Sequence, residues 1–171
     1  LYIQILEHVF RYFPAVDVFS IHDDWAGQRI TFFSPETAEE MIVPYMRKVT
    51  DFIHANGRFA DLHSCGQSLE QVPNFIKAGW DSWLPQSIND IEKIYRLYGD
   101  KILIGTMPEN ADKKDEEAQR QAARAYAETY CRPDKPSLLN PNYMLFIENP
   151  PHTPVMWEEI YRQSRLHYQQ P

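Results

Sequence analysis

Cysteine is scarce in this 171-residue chain: Cys65 and Cys131 are the only two, too few for a disulfide scaffold, and they suit a reducing, cytoplasmic setting. Basic clusters are missing. The net charge is -7, from 17 basic and 24 acidic residues, and no basic run exceeds two residues. A phosphate-backbone partner needs clustered Lys and Arg, so nucleic-acid binding is excluded. No apolar stretch approaches the roughly 20 residues that cross a bilayer. The amino-terminal segment is apolar but carries Glu7 and Arg11, and does not read as a secretory signal. Glycine is sparse too, with six residues and neither GxGxxG nor GxxxxGK[ST], which removes support for a dinucleotide or P-loop site. What remains, 43 % hydrophobic and 24 % charged, suits one ordinary globular domain. The chain opens at Leu1 in what reads as mid-helix, so it is expected to be a piece of something longer.

Leu6, Val9, Phe10 and Phe13 make the apolar stripe of a first helix, which Pro14 stops. Val16 to Ile21 reads as a buried strand ending in the polar cluster His22-Asp23-Asp24. Ser34-Pro35-Glu36 starts a helix expected to run to Ala55, kinked at Pro44 and stopped by Asn56-Gly57. The alternation then repeats. Strands are expected at 59–65, 82–85, 101–105 and 143–147, and helices at 69–78, 88–98, 113–130 and 154–167, with 133–141 as loop. Five strands alternating with helices imply βαβ units and a parallel sheet. Either a flavodoxin-like open sheet or part of a (β/α)8 barrel satisfies that pattern. A whole barrel takes about 250 residues, so five of its eight units fit a carboxyl-terminal portion.

Such folds place their sites at the carboxyl ends of the strands. The segment Asp61-Leu62-His63-Ser64-Cys65-Gly66 lies there, and residues 61, 63 and 65 of a strand share a face. His63 and Cys65 can offer nitrogen and sulfur to one zinc ion, for which a third protein ligand is needed. The same pair also reads as a core histidine beside an inert thiol. His22, Asp23, Asp24 and Trp25 close the first strand; of the two acids, one is expected to face the site while the other caps the turn. Gln86, Glu109 and Glu148 follow later strands, and His152 lies four residues beyond Glu148. With four Trp, nine Phe and ten Tyr most rings must be core, but Trp25 and Phe32-Phe33 sit where they could line a pocket.

The stretches DVFSIHDDWAGQ (17–28), SPETAEEMIVPYMRKVTDFIHANG (34–57) and DLHSCGQ (61–67) together resemble the uroporphyrinogen decarboxylase superfamily, which includes cobalamin-dependent methyltransferases. The resemblance runs from about Asp17 to the carboxyl terminus. It implies a (β/α)8 TIM-barrel type fold, of which residues 1–171 would be the carboxyl-terminal portion of a single domain with the last five βα units. In the methyltransferase branch a His-x-Cys pair binds zinc, a role that falls here on His63 and Cys65, and a corrinoid protein is the methyl partner. Two departures stand out. That branch supplies a further Cys after the last strand, where this chain reads FIENPPHTP (146–154), leaving Glu148 or His152. The decarboxylase branch carries Gly-Asn-x-Asp-Pro and Gly-His-Gly loops where this chain reads GTMPEN (105–110) and IENPPH (147–152).

The expectation is therefore a zinc-assisted methyltransferase-like enzyme acting on a small methylated or thiol compound. Asp23, Asp24 and Glu148 are its candidate catalytic groups, and His22, Trp25, Gln86 and Glu109 its substrate contacts. The alternatives are a metal-free carboxy-lyase acting on a porphyrinogen-like tetrapyrrole through Asp23 or Asp24, and an inactive fragment. A five-strand remnant exposes two sheet edges, so a homodimer across them is also expected.

Overall fold

Ser34 leaves the extended region at φ −68° and ψ 157°, and its Oγ accepts from the Thr37 amide at 3.2 Å while Pro35 opens the first helical turn. The computed structural model describes residues 1–109, 111–139 and 153–169. The long helix expected after Ser34 is two helices, Pro35–Met41 (α2) and Val43–Ala55 (α3), separated at Ile42. Pro44 has no N–H to return to the Glu40 carbonyl, which interrupts the ladder there. Ile42 keeps a helical backbone, and the Ile42 N–H to Ala38 O and Met46 N–H to Ile42 O bonds, 2.9 and 3.0 Å, run through the junction, as the expected kink at Pro44 requires. Tyr2–Tyr12 (α1) precedes them.

The remaining elements alternate as their apolar runs require. Val18–His22 (β1), Phe59–His63 (β2), Ser82–Trp83 (β3), Leu103–Thr106 (β4) and Leu138–Leu139 (β5) form one parallel sheet in the order β1-β2-β3-β4-β5. A 3-10 turn at Leu69–Gln71 leads into Val72–Lys77 (α4), and Ile91–Tyr98 (α5) and Glu116–Tyr130 (α6) follow β3 and β4. Pro154–Tyr168 (α7) closes the described chain. Strands in sequential order, each followed by a helical segment, make a partial TIM-barrel type sheet. No helix among the described residues is long and apolar enough to cross a membrane.

The first four strands are shorter or shifted by up to two residues from the sequence reading, β2 ending at His63 rather than Cys65 and β3 at Trp83 rather than Pro85. Three larger differences have local causes. The helix expected from Ile88 starts at Ile91, because Asp90 accepts from the Lys93 amide at 3.0 Å and Asn89 is drawn into a turn. The helix expected from Lys113 starts after Asp115, whose Oδ1 takes the amides of Glu117 and Ala118. The fifth strand is Leu138–Leu139, inside the segment read as loop, paired through Gly105↔Leu138 and Thr106↔Leu139. Two residues close to Pro136 and Pro141 carry no readable period. The strand expected at 143–147 lies outside the described residues.

The chain divides into two compact units, residues 1–104 and 105–171. In the first, Phe19, Leu62, Trp83 and Ile104 are buried, together with helical Ile53, Phe75 and Ile94. The edge-to-face chain Trp25–Phe75–Trp83, with ring centroids 5.0 and 5.1 Å apart, fills its centre.

In the second, α6 packs on α7 around Ala123, Tyr126, Ala127, Met156 and Ile160. Burial pushes the Tyr126 phenol up to about 12, while its oxygen lies 2.9 Å from Thr106 Oγ1. The Glu159 side chain, 3 % exposed, meets Arg162 at 2.6 Å, Arg124 at 3.0 Å and Arg120 at 3.6 Å. Hydrogen bonds from Arg162 lead the effects that hold its carboxyl at about 2. The folded state thus binds this proton more weakly than the unfolded chain, whose carboxyl titrates near 4.5. The resulting stability is present above that pH and is lost as the pH falls toward 2. After allowance for solvent around the arginines it is about 2 kcal/mol. Glu159→Gln is expected to lower the midpoint of thermal unfolding by about 4–8 °C at neutral pH. The gap between variant and wild type should close at about pH 2. A gap of the same size at both pH values would show that the carboxylate charge is not the source.

Candidate metal centre

Parallel pairing sets the site. The register Ser20↔Asp61, His22↔His63 and Asp61↔Ser82 puts five polar side chains on one face of β1, β2 and β3, while Phe19, Leu62 and Trp83 alternate to the other. Asp61 is fully engaged, accepting from Ser20 Oγ at 2.6 Å and from Ser82 Oγ at 2.5 Å. Two residues on, at the end of β2, His63 Nε2 lies 3.0 Å from Cys65 Sγ.

The turn after β2 brings them together. Gly66 sits at φ +85°, which favours glycine, and an added Cβ would come within 2.5 Å of the Gly27 carbonyl oxygen. Its N–H donates to Gln86 Oε1 at 2.8 Å and its carbonyl accepts from Asn89 Nδ2 at 2.9 Å. Asn89 Oδ1 takes the Ser68 amide at 3.0 Å. Two further bonds tie this turn to the loop after β1: Gln67 N–H to Gly27 O at 2.9 Å, and Trp25 N–H to Ser64 Oγ at 3.0 Å.

Asp24 joins the pair from that same loop. One of its oxygens accepts from the Cys65 amide at 2.7 Å, and its carboxylate, His63 and Cys65 each offer a donor atom within 4.8 Å of the others. The sequence reading divided two tasks between the adjacent acids. Here Asp24 both caps the turn and stands among the donors, while Asp23 is half-buried beside it.

The electrostatics follow from this crowding. Burial, and then the neighbouring His22, lowers the His63 imidazole, while burial and the Asp24 carboxylate push the Cys65 thiol up. Burial also raises the Asp23 carboxyl, and the neighbouring Asp24 carboxylate adds to the rise. A neutral thiol and a neutral imidazole facing a carboxylate form a poor nucleophilic dyad, whose thiolate would be repelled by Asp24. With a cation among them, the same three donors become mutually favourable.

The other expected residues divide clearly. His22 stacks on His63, with ring centroids 4.2 Å apart and planes at 15°. Trp25 is 1 % exposed and wedged against Phe33 and Phe75, which makes it core beneath the loop rather than a substrate-facing wall. Gln86 holds the Gly66 turn. Glu109 is exposed and belongs to the second unit, whereas the donors belong to the first. Glu148 and His152 lie outside the described residues. Asn89 and Ser64, which shape the turn, went unread; Ser64 stood inside the His-x-Cys motif, but Asn89 carried no local signal.

The donor set suits zinc. Imidazole nitrogen, thiolate and carboxylate are its usual ligands, and donor atoms around a tetrahedral ion lie about 3.3–3.8 Å apart. Here His63 Nε2 and Cys65 Sγ are 3.0 Å apart and all three donors lie within 4.8 Å of one another, near enough to share one ion.

The fold these strands and turns define is a partial α/β barrel, and comparison with solved structures agrees. A methyltransferase from Methanosarcina mazei is similar to this chain at a TM-score of 0.52 and 15 % sequence identity, over 90 % of this chain and 43 % of that one. The chain thus spans less than half the length of that structure, and the likeness is one of fold. No protein-family model matches the sequence, and no curated protein matches it.

Proposed function

We propose that this chain is part of a methyltransferase-like enzyme of the uroporphyrinogen decarboxylase superfamily, with zinc held by His63, Cys65 and Asp24. The convergence of these three donors at the carboxyl ends of β1 and β2 carries the reading. Zinc in this position keeps a bound thiol deprotonated near neutral pH, or polarises a methyl donor. The protein's own groups do the rest. Cys65 and His63 orient the donor set, Asp24 balances its charge, and the raised Asp23 carboxyl beside them is the group suited to take up a proton. The substrate is a small methylated or thiol compound, and a corrinoid protein is the methyl partner. A metal-free carboxy-lyase would have use for the acids, but none for a thiol set against them.

Elemental analysis of the purified protein tests this reading. About one zinc per chain, removed by a chelator and restored by added zinc, is the expected result. Protein that stays metal-free when offered stoichiometric zinc would overturn it.

A further inference from the structure

A histidine that binds metal usually donates its second ring N–H to a carboxylate or carbonyl, and that bond fixes the ring. His63 uses Nε2 toward Cys65, and among the described residues no protein group hydrogen-bonds its Nδ1. What the ring has instead is His22, directly opposite in the β1–β2 register and lying nearly parallel upon it. His22 is exposed and stands outside the donor group formed by Asp24, His63 and Cys65. Nothing in the packing of the core requires an imidazole there.

We infer that His22 is a positioning residue for the metal centre: its ring, stacked face to face on His63, sets the orientation that a hydrogen bond to Nδ1 would otherwise set. The stack limits rotation of His63 about its last side-chain bond and aims Nε2 at the space shared with Cys65 and Asp24. It also places an aromatic face against a ring that loses electron density when its nitrogen binds a cation, so the stack strengthens on metal binding. This inference rests on the zinc reading above. It requires an aromatic face at position 22, but not a nitrogen.

That requirement makes it testable on the intact chain with zinc as the probe. Zinc affinity is measured by competition with a chromophoric chelator for wild type, His22→Ala and His22→Phe. The His63 ring protons are followed by NMR in the same three proteins without metal. His22→Ala is expected to weaken zinc binding about tenfold, the scale of other groups that orient ligands, while His22→Phe stays within about twofold of wild type. In the metal-free proteins, the shielding of the His63 ring by its neighbour should vanish in the Ala variant and persist in the Phe variant. Because position 22 is exposed, the thermal unfolding of all three metal-free proteins should coincide.

Equal weakening in both variants would make His22 a ligand and overturn the inference, as would unchanged affinity in both. Ring shifts that are identical in all three proteins would overturn the stack itself. A wild type that binds no zinc but shows the expected ring shifts would instead overturn the metal reading, and would still support the control of His63 by His22.

Discussion

Cys65→Ser is expected to weaken zinc binding by at least about 100-fold, with the metal-free protein folded as before. A structural zinc with four ligands is worth about 10–16 kcal/mol, so each ligand accounts for about 3 kcal/mol. Serine keeps the size of the side chain, but its hydroxyl holds its proton at any working pH and is a harder, weaker donor. The fold should tolerate the change. Cys65 is only partly buried, and its backbone N–H still finds Asp24. Chelator competition gives the affinity, and thermal unfolding without metal gives the control. Unchanged zinc affinity would remove Cys65 from the donor set, and the chemistry proposed for the site with it.

Gly66→Ala should damage both fold and site, for a different reason. The backbone at φ +85° disfavours any L side chain, and the new methyl would collide with the carbonyls of Ala26 and Gly27. Those carbonyls cannot simply retreat. The Gly27 oxygen accepts from Gln67, and the loop is pinned again by the Trp25 amide on Ser64. Strain and displaced hydrogen bonds together should cost about 3 kcal/mol or more, which lowers the midpoint of thermal unfolding by about 6–12 °C. Whatever shift relieves the clash must move the Cys65–Gly66 turn away from Asp24, so zinc affinity should fall in the protein that remains folded. A midpoint within 2 °C of wild type would show that the two loops part more easily than their bonds suggest.

The elements most legible in the sequence were those whose causes are local. The Ser34 cap with Pro35, the Asn56-Gly57 stop and the Val-Phe-Ser-Ile run of β1 announce themselves within a few residues. The His-x-Cys-Gly pattern was legible too, but as the end of a strand through Cys65; β2 ends at His63, and it is the turn at Gly66 that brings the two donors round. Asp24 was not separable from Asp23, because neighbouring residues in a loop have no period to tell them apart. Gln86 and Asn89 were misread or passed over, since they act on backbone about twenty positions earlier in the chain and only tertiary structure makes that contact. Trp25 shows the limit of composition: a ring beside a strand end reads alike whether it lines a pocket or fills the core.

The bond between Asp61 and its two serines bears on how the sheet is aligned at all. Side chains alternate with a period of two, so sliding one strand by a single residue would turn His63 toward the helices and bring Leu62 out in its place. β3 pairs with β2 through only two residues, Ser82 and Trp83, and so short a ladder distinguishes poorly between neighbouring alignments. A carboxylate that accepts a hydroxyl from each flanking strand does distinguish them. Both bonds form in one alignment and neither survives a slip, so Asp61 works as a molecular vernier: it fixes the offset of three strands at once, and the imidazoles two residues further along meet because it does.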